Sequence, residues 1–259
     1  MHIGNTIFTL NSQLKTTLLL VVLFNCFSLS ANAQVDNIKV YYEKLSQNSN
    51  GEGTTIQFVK EEMNLVEDFS SLRQIILLRH GEPALNKKGW RTRKEAMEFI
   101  VAYDSANIYP PGHIPVQLGE NEVDIIFTST LNRSKSTAQQ VFNRPEGQQP
   151  QALFREFERR IFAFPNLKLP LKWWLTGSRI FWFMGTNRKG IESFKEAKLR
   201  AKEAVVFLEK DANEKGKTLL VSHGLLNHFL KKYLIENGWT EVYDGGKGYL
   251  SQKVLVKYE

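Results

Sequence analysis

Apolar residues recur along this chain in two rhythms. Short apolar runs at Ile75 to Leu78, Val123 to Phe127 and Thr218 to Val221 read as strands buried on both faces, as in the middle of a parallel sheet. Between them the spacing turns helical: Ala96, Phe99, Ile100 and Tyr103, then Ala138, Val141 and Phe142. A long amphipathic helix is predicted from Ile191 to Lys210, with Phe194, Ala197, Ala201, Ala204, Val205 and Leu208 inward. The next helix buries Leu226, Phe229, Leu230 and Tyr233, and Leu250 to Tyr258 reads as a closing strand. Strands and helices alternate, so the expected fold is α/β, a three-layer α/β/α sandwich with a mostly parallel central sheet.

Other stretches are less regular. Residues 34–73 form an N-terminal extension, read as an added layer on the main domain at 74–259. Within it Thr54 to Val59 alternates weakly, like an edge strand, Asn48 to Gly53 is a loop, and Glu61 to Phe69 suits a helical turn or two. Pro83 to Trp90 is a polar loop and Tyr109-Pro110-Pro111-Gly112 a turn. Thr128-Ser129-Thr130 offers N-cap chemistry to a helix carrying Arg133 in its first turn, beside exposed N–H groups that suit an anion. Gln151 to Phe154 reads as a short third strand. An insert at 161–185 is dense in aromatics: Phe162, Phe164, Trp173, Trp174, Phe181, Trp182 and Phe183. It reads as a cover over a site or as core between helices; the sharper alternative is a peripheral membrane-touching surface.

The first residues suggest a targeting segment. Lys15 precedes the apolar run Thr17 to Phe27, and Ala31-Asn32-Ala33 has the small-x-small pattern of a signal-peptidase site. Residues 1–33 are therefore read as a signal peptide, and the protein as exported, periplasmic or secreted. The run is short for a membrane span. Competing readings are an uncleaved anchor and lipidation of Cys26, which the preceding Asn25 disfavours. Cys26 is the only cysteine, so cleavage leaves no disulfide, thiol nucleophile or cysteine metal site. The net charge is +7, but it is spread along helices with interspersed glutamates. No basic run interleaved with stacking aromatics points to nucleic acid, while a basic surface would draw in anionic substrates.

Chemistry concentrates where strands end. Two buried strands each run into His-Gly, at His80-Gly81 and His223-Gly224, and open α/β sheets place ligands at such carboxyl ends. A glycine there lets a ligand approach the backbone. If the strands are neighbours, Arg79, His80, Arg133 and His223 converge. Paired histidines could also hold a metal, but there is no His-Glu-x-x-His, and the adjacent arginine would repel a cation.

Leu78-Arg79-His80-Gly81-Glu82, followed by Asn86, resembles the signature of the histidine phosphatase superfamily, also called phosphoglycerate-mutase-like. The resemblance continues, in family order, through Ser129-x-Leu131-x-Arg133-Ser134-x-x-Thr137-Ala138, Phe154-Arg155-Glu156 and Val221-Ser222-His223-Gly224. It implies a metal-independent phosphomonoesterase without cofactor, in which His80 carries the phosphoryl group transiently. Arg79 and Arg133 would grip phosphate oxygens, His223 would be protonated by the anion and stabilise charge, and a backbone carbonyl would fix the His80 tautomer. Asn86 matches a family phosphate contact, with Gly81 and Gly224 beside the substrate. Glu156 matches the proton donor, with Glu158 and Glu82 as rivals. The familiar Asp-x-Pro-Leu-Thr-x-x-Gly segment is missing, replaced by a basic helix at Arg91 to Tyr103. No extra basic residues for a second acidic group are evident in the linear sequence, which disfavours a mutase. A phosphate-binding sensor with little turnover and a membrane-surface phosphatase on a lipid-linked phosphate are the alternatives.

Overall fold

The structure is a computed structural model that describes residues 33–49, 53–144, 146–163, 166–187 and 189–258. The apolar run at 17–27, Cys26, Phe164 and part of the 48–53 loop lie outside these residues. A helix over 33–47, α1, comes first. Then follow β1 (Leu72–Arg79), β2 (Trp90–Arg91), α2 (Arg93–Ser105), β3 (Ile126–Ser129), α3 (Asn132–Phe142), β4 (Gln148–Gln151), β5 (Leu169–Pro170) and α4 (Leu171–Phe183). The chain continues through α5 (Phe194–Lys215), β6 (Lys217–Ser222), α6 (Gly224–Glu236), β7 (Thr240–Asp244) and β8 (Gln252–Tyr258).

Six strands form one sheet in the order β4-β3-β6-β1-β8-β7, and β2 and β5 make a separate ribbon. β4, β3, β6 and β1 pair in parallel, while β8 runs antiparallel to β1 and β7. β1 is buried on both faces, and its alternation sorts its side chains. Ile75 and Leu77 join a cluster with Ala197, Ala201 and Leu208 of α5 and Leu226 and Leu230 of α6. Ile76 and Leu78 face the opposite layer, packing with Val35, Ile38 and Tyr42 of α1 and Ala138 of α3. That is the expected α/β/α sandwich. A third cluster stands apart, with Ala96 and Phe99 of α2 against Ile161, Leu171 and Trp174.

Several local expectations need correction. Thr54 to Val59 is not a strand: only Ile56 forms an isolated bridge, to Val116. Side chains bind the segment instead. Gln74 accepts a hydrogen bond from Val59 N–H at 2.8 Å and donates to Val59 C=O at 2.9 Å. Only Glu61–Met63 turns helically within 61–69, as a 3-10 turn. The third strand is Gln148–Gln151, and 152–154 is a 3-10 turn. This strand is polar because it lies at the sheet edge, where Pro150 is tolerated. Leu131, not the Thr128–Thr130 hydroxyls, occupies the N-cap of α3, since Thr128 and Ser129 are held in β3. Ser134 Oγ instead accepts from Ser129 N–H at 3.1 Å and donates to Val221 C=O at 2.6 Å. The long helix begins three residues late, where Ser193 and Glu196 form a capping box, and ends at Gly216 in a positive-φ conformation.

Gln74 is fully buried in a central strand. Gln74→Leu should cost about 2–4 kcal/mol, because two backbone groups of Val59 lose their partner; urea unfolding measures it, and a loss below about 1 kcal/mol would show that water replaces the amide.

Candidate active site

Three parallel strands end level with one another. β6 lies between β1 and β3, with Arg79 opposite Ser222 and Thr128 opposite Val221. His80 and His223 therefore leave adjacent strands side by side, and their rings meet edge-on with centroids 5.1 Å apart. Arg133 enters from the first turn of α3, just beyond β3. β8 contributes too. Running antiparallel, it starts beside the end of β1, so the loop carrying Lys247 and Tyr249 comes over His80.

His80 is almost fully buried. Its Nδ1 donates to Gly81 C=O at 2.7 Å; a carbonyl can only accept, so the proton is on Nδ1 and the lone pair of a neutral ring is on Nε2. Gly81 N–H donates to Thr137 Oγ1 at 2.9 Å, tying this turn to α3. A side chain at Gly81 would put its Cβ 2.8 Å from Ile108 Cδ1. At Gly224 an added Cβ would come within 3.1 Å of Arg79 Nε, so the glycine lets the guanidinium lie against the start of α6.

Carbonyls and rings hold the cations in place. Arg79 donates to Lys247 C=O and stacks over Tyr249, 4.6 Å from the ring centre. Arg133 donates to Tyr103 C=O at 2.8 Å and Asp104 Oδ1 at 3.1 Å, and stacks over the Tyr103 ring. The Nε atoms of both arginines and both ring nitrogens of His223 are buried without a hydrogen-bond partner among the described residues.

A cleft of about 860 Å³ opens here, lined by Arg79, His80, Arg133, Glu156 and Gly224 among others. His223 lies behind this wall, fully buried. The Glu156 carboxylate sits at the N-terminus of α6, accepting from Leu226 N–H at 3.2 Å and Leu225 N–H at 3.4 Å. Glu158 also lines the cleft, but its Oε2 is engaged by Glu192 N–H at 2.7 Å. Glu82 is exposed and paired with Lys87 at 3.0 Å. Asn86 is not brought to the wall: it is exposed, and its carboxamide oxygen accepts from Lys88 N–H within its own turn. Lys87, one residue on, lines the cleft in its place.

Residues that sequence reasoning passed over complete the cleft. Tyr103 and Asp104 hold Arg133, and Tyr249 covers Arg79. Arg155, Arg159 and Arg179 also line the cleft, as do Phe99, Ile100 and Leu175. That these arginines reach the cleft was not evident in the linear sequence. Arg159 and Arg179 sit in the acid-free stretch after Glu158, a signal overlooked because the aromatics there dominate.

Burial, then Arg133, hold the His80 ring well below its ordinary pKa of 6.5, with Arg79 and Lys87 adding to this and the Gly81 bond opposing it. His223 is likewise lowered, by burial first and then by His80, Arg133 and Arg79. Both shifts favour the neutral ring in the free protein, and an anion beside His223 would favour its charged form. The unfolded chain takes up these protons near its ordinary value while the folded one resists. Stability should fall as pH drops below about 6.5, and inorganic phosphate or vanadate, by favouring the charged rings, should lessen the loss. Melting temperatures of wild type and His223→Asn between about pH 7.5 and pH 5 test this. The variant should show the shallower slope; equal slopes would mean that His223 titrates as an exposed group.

The sequence profile described as histidine phosphatase superfamily (branch 1) matches residues 114–255. Among the curated proteins no sequence matches. Similar solved structures include a mycobacterial glucosyl-3-phosphoglycerate phosphatase, 21% identical, covering 71% of this chain and 90% of its own, with a TM-score of 0.42. The phosphoglycerate mutase of Bacillus anthracis is 16% identical, covering 73% of this chain and 89% of its own, with a TM-score of 0.46. The alpha-ribazole phosphatase of Shigella flexneri is 17% identical, covering 62% of this chain and 79% of its own, with a TM-score of 0.40. With more than half of its length matched by the profile and its strand ends arranged as described, the chain belongs to the histidine phosphatase superfamily, branch 1, and is an enzyme of the histidine-phosphatase type.

Proposed function

We propose that this protein is an exported phosphomonoesterase that works through a phosphohistidine on His80. The observation that carries the reading is the His80 ring, locked by Gly81 with Nε2 as its lone-pair nitrogen and ringed by His223, Arg79 and Arg133. Nε2 attacks phosphorus as the ester oxygen leaves, forming the N–P bond while the O–P bond breaks. The arginines and a protonated His223 balance charge on the transferring group. Glu156 gives its proton to the leaving alkoxide. It then takes one from the water that attacks phosphohistidine, releasing inorganic phosphate and restoring His80. Its place at the α6 N-terminus, with Gly224 alone between it and His223 in that helix's first residues, favours it over Glu158 and Glu82.

The alcohol part of the substrate would lie in the same cleft, beside the apolar side chains of α2 and α4 and Arg159 and Arg179. This suits an organic phosphate carrying a further negative charge. Export rests on the Lys15, Thr17–Phe27 and Ala31-Asn32-Ala33 pattern; cleavage after Ala33 would start the mature chain within α1.

Turnover of a phosphomonoester panel tests the reading. His80→Ala should abolish hydrolysis by about four orders of magnitude or more, and rapid quench should trap an acid-labile, alkali-stable label in wild type only. Retained phosphate binding without hydrolysis would instead identify a sensing module. Glu156→Gln should lower kcat/KM about a hundredfold or more on an alkyl phosphate but far less on p-nitrophenyl phosphate, whose leaving group needs no proton, while kcat falls on both because water attack uses the same carboxylate. If Glu158→Gln gives that pattern instead, the roles are exchanged.

A further inference from the structure

Helix α4 has two dissimilar sides. Leu171, Trp174 and Trp182 are buried, and Leu175 and Arg179 line the cleft. On the outer side, Trp173, Ile180 and Met184 are 65%, 52% and 68% exposed. Their spacing of seven and then four residues puts them on one face. Phe181 and Phe183 are exposed beside them.

The tryptophans mark the same corner. Of the chain's five, Trp174, Trp182 and Trp239 are buried, and Trp90 and Trp173 are exposed. Trp90 pairs across the β2–β5 ribbon with Pro170, the N-cap of α4, three residues before Trp173. Leu167, also exposed, leads into that ribbon.

Charge around this corner is mainly positive. Between Glu158 and Glu192 the sequence has no Asp or Glu, but it has Arg159, Arg160, Lys168, Lys172, Arg179, Arg188 and Lys189. Lys88, Lys94, Lys168 and Lys172 are exposed around the ribbon and the start of α4. The neighbouring Glu95 of α2 is engaged with Thr92 in a capping box. Large apolar side chains grouped on one face and left in water mark an interaction surface. Tryptophan with lysine at its rim suits the boundary between acyl chains and anionic headgroups.

We propose that the corner formed by the β2–β5 ribbon and the outer face of α4 docks on an anionic phospholipid bilayer. α4 has 13 residues and no described helix is long and apolar enough to cross a membrane, so it lies in the plane of the surface. Its other side walls the cleft, which places that wall about one helix diameter, roughly 10 Å, from the lipid. The surface is independent of what the cleft hydrolyses.

The test uses the full chain with vesicles of brominated phosphatidylcholine, alone or mixed with brominated phosphatidylglycerol. Tryptophan emission should be quenched by the mixed vesicles, and Trp173→Phe should remove part of that quenching while binding persists. Trp173→Ser/Ile180→Ser/Met184→Ser should bind the mixed vesicles about tenfold or more weaker, with an unchanged thermal melt. Because the N-terminal apolar run is common to both proteins, the difference reports the corner. Should the triple variant misfold, Lys168→Glu/Lys172→Glu must weaken binding to the mixed vesicles alone. Absence of quenching, equal quenching by pure phosphatidylcholine, or unchanged binding of the variants would overturn the proposal. So would a self-associated state, abolished by the triple variant, that forms without vesicles; the occupant would then be a second copy of this chain.

Discussion

Like charges crowded at the ends of parallel strands govern this molecule. Two guanidinium groups and two imidazoles are drawn together by backbone pairing that has no regard for their repulsion. The fold answers with partial dipoles rather than full counter-charges. Carbonyls of Lys247, Tyr103 and Gly81 accept hydrogen bonds from Arg79, Arg133 and His80, and aromatic rings cover both arginines. Asp104, on Arg133, is the carboxylate that pairs directly with this group. The imidazoles respond by staying neutral, which removes part of the repulsion and leaves His80 with the lone pair that nucleophilic attack needs. A phosphate dianion entering the cleft would complete a balance that the protein alone leaves open.

Sequence legibility followed the physics of each element. β1 and β6 were readable because burial on both faces demands unbroken apolar runs, and the His-Gly pairs mark where those runs stop. β4 was not, since an edge strand of Gln and Pro carries no apolar signal. α1 was missed because its buried positions Val35, Ile38 and Tyr42 are few and interrupted. At the site, Arg79, His80, Arg133 and Glu156 were legible from their places beside strands and in motifs. Lys87 and Tyr249 were not: nothing in the linear order shows that the β7–β8 connection folds over His80. Asn86 shows the opposite error, a position right by motif but turned away by its own local hydrogen bond.

The aromatic insert reconciles two readings that seemed to compete. Trp174 and Trp182 are core, and Leu175 and Arg179 face the cleft, so the segment covers the site. Trp173, Ile180 and Met184 each leave more than half of their surface in water. One short helix thus presents an inner surface suited to the leaving group and an outer one of quite different chemistry.

The position of β8 bears on how the protein is made. Its pairing with β1 joins residues near opposite ends of the described chain, from Leu72 with Tyr258 to Leu78 with Gln252. Until β8 has been synthesised, β1 is paired on one side alone, by β6, the Lys247–Tyr249 loop cannot close over the imidazole, and Arg79 lacks the Lys247 carbonyl that holds it. A nascent chain that stops short of β8 would carry every motif residue yet present no finished pocket. Catalytic competence therefore arrives in one late, long-range step, set by the separation of β1 and β8 along the chain.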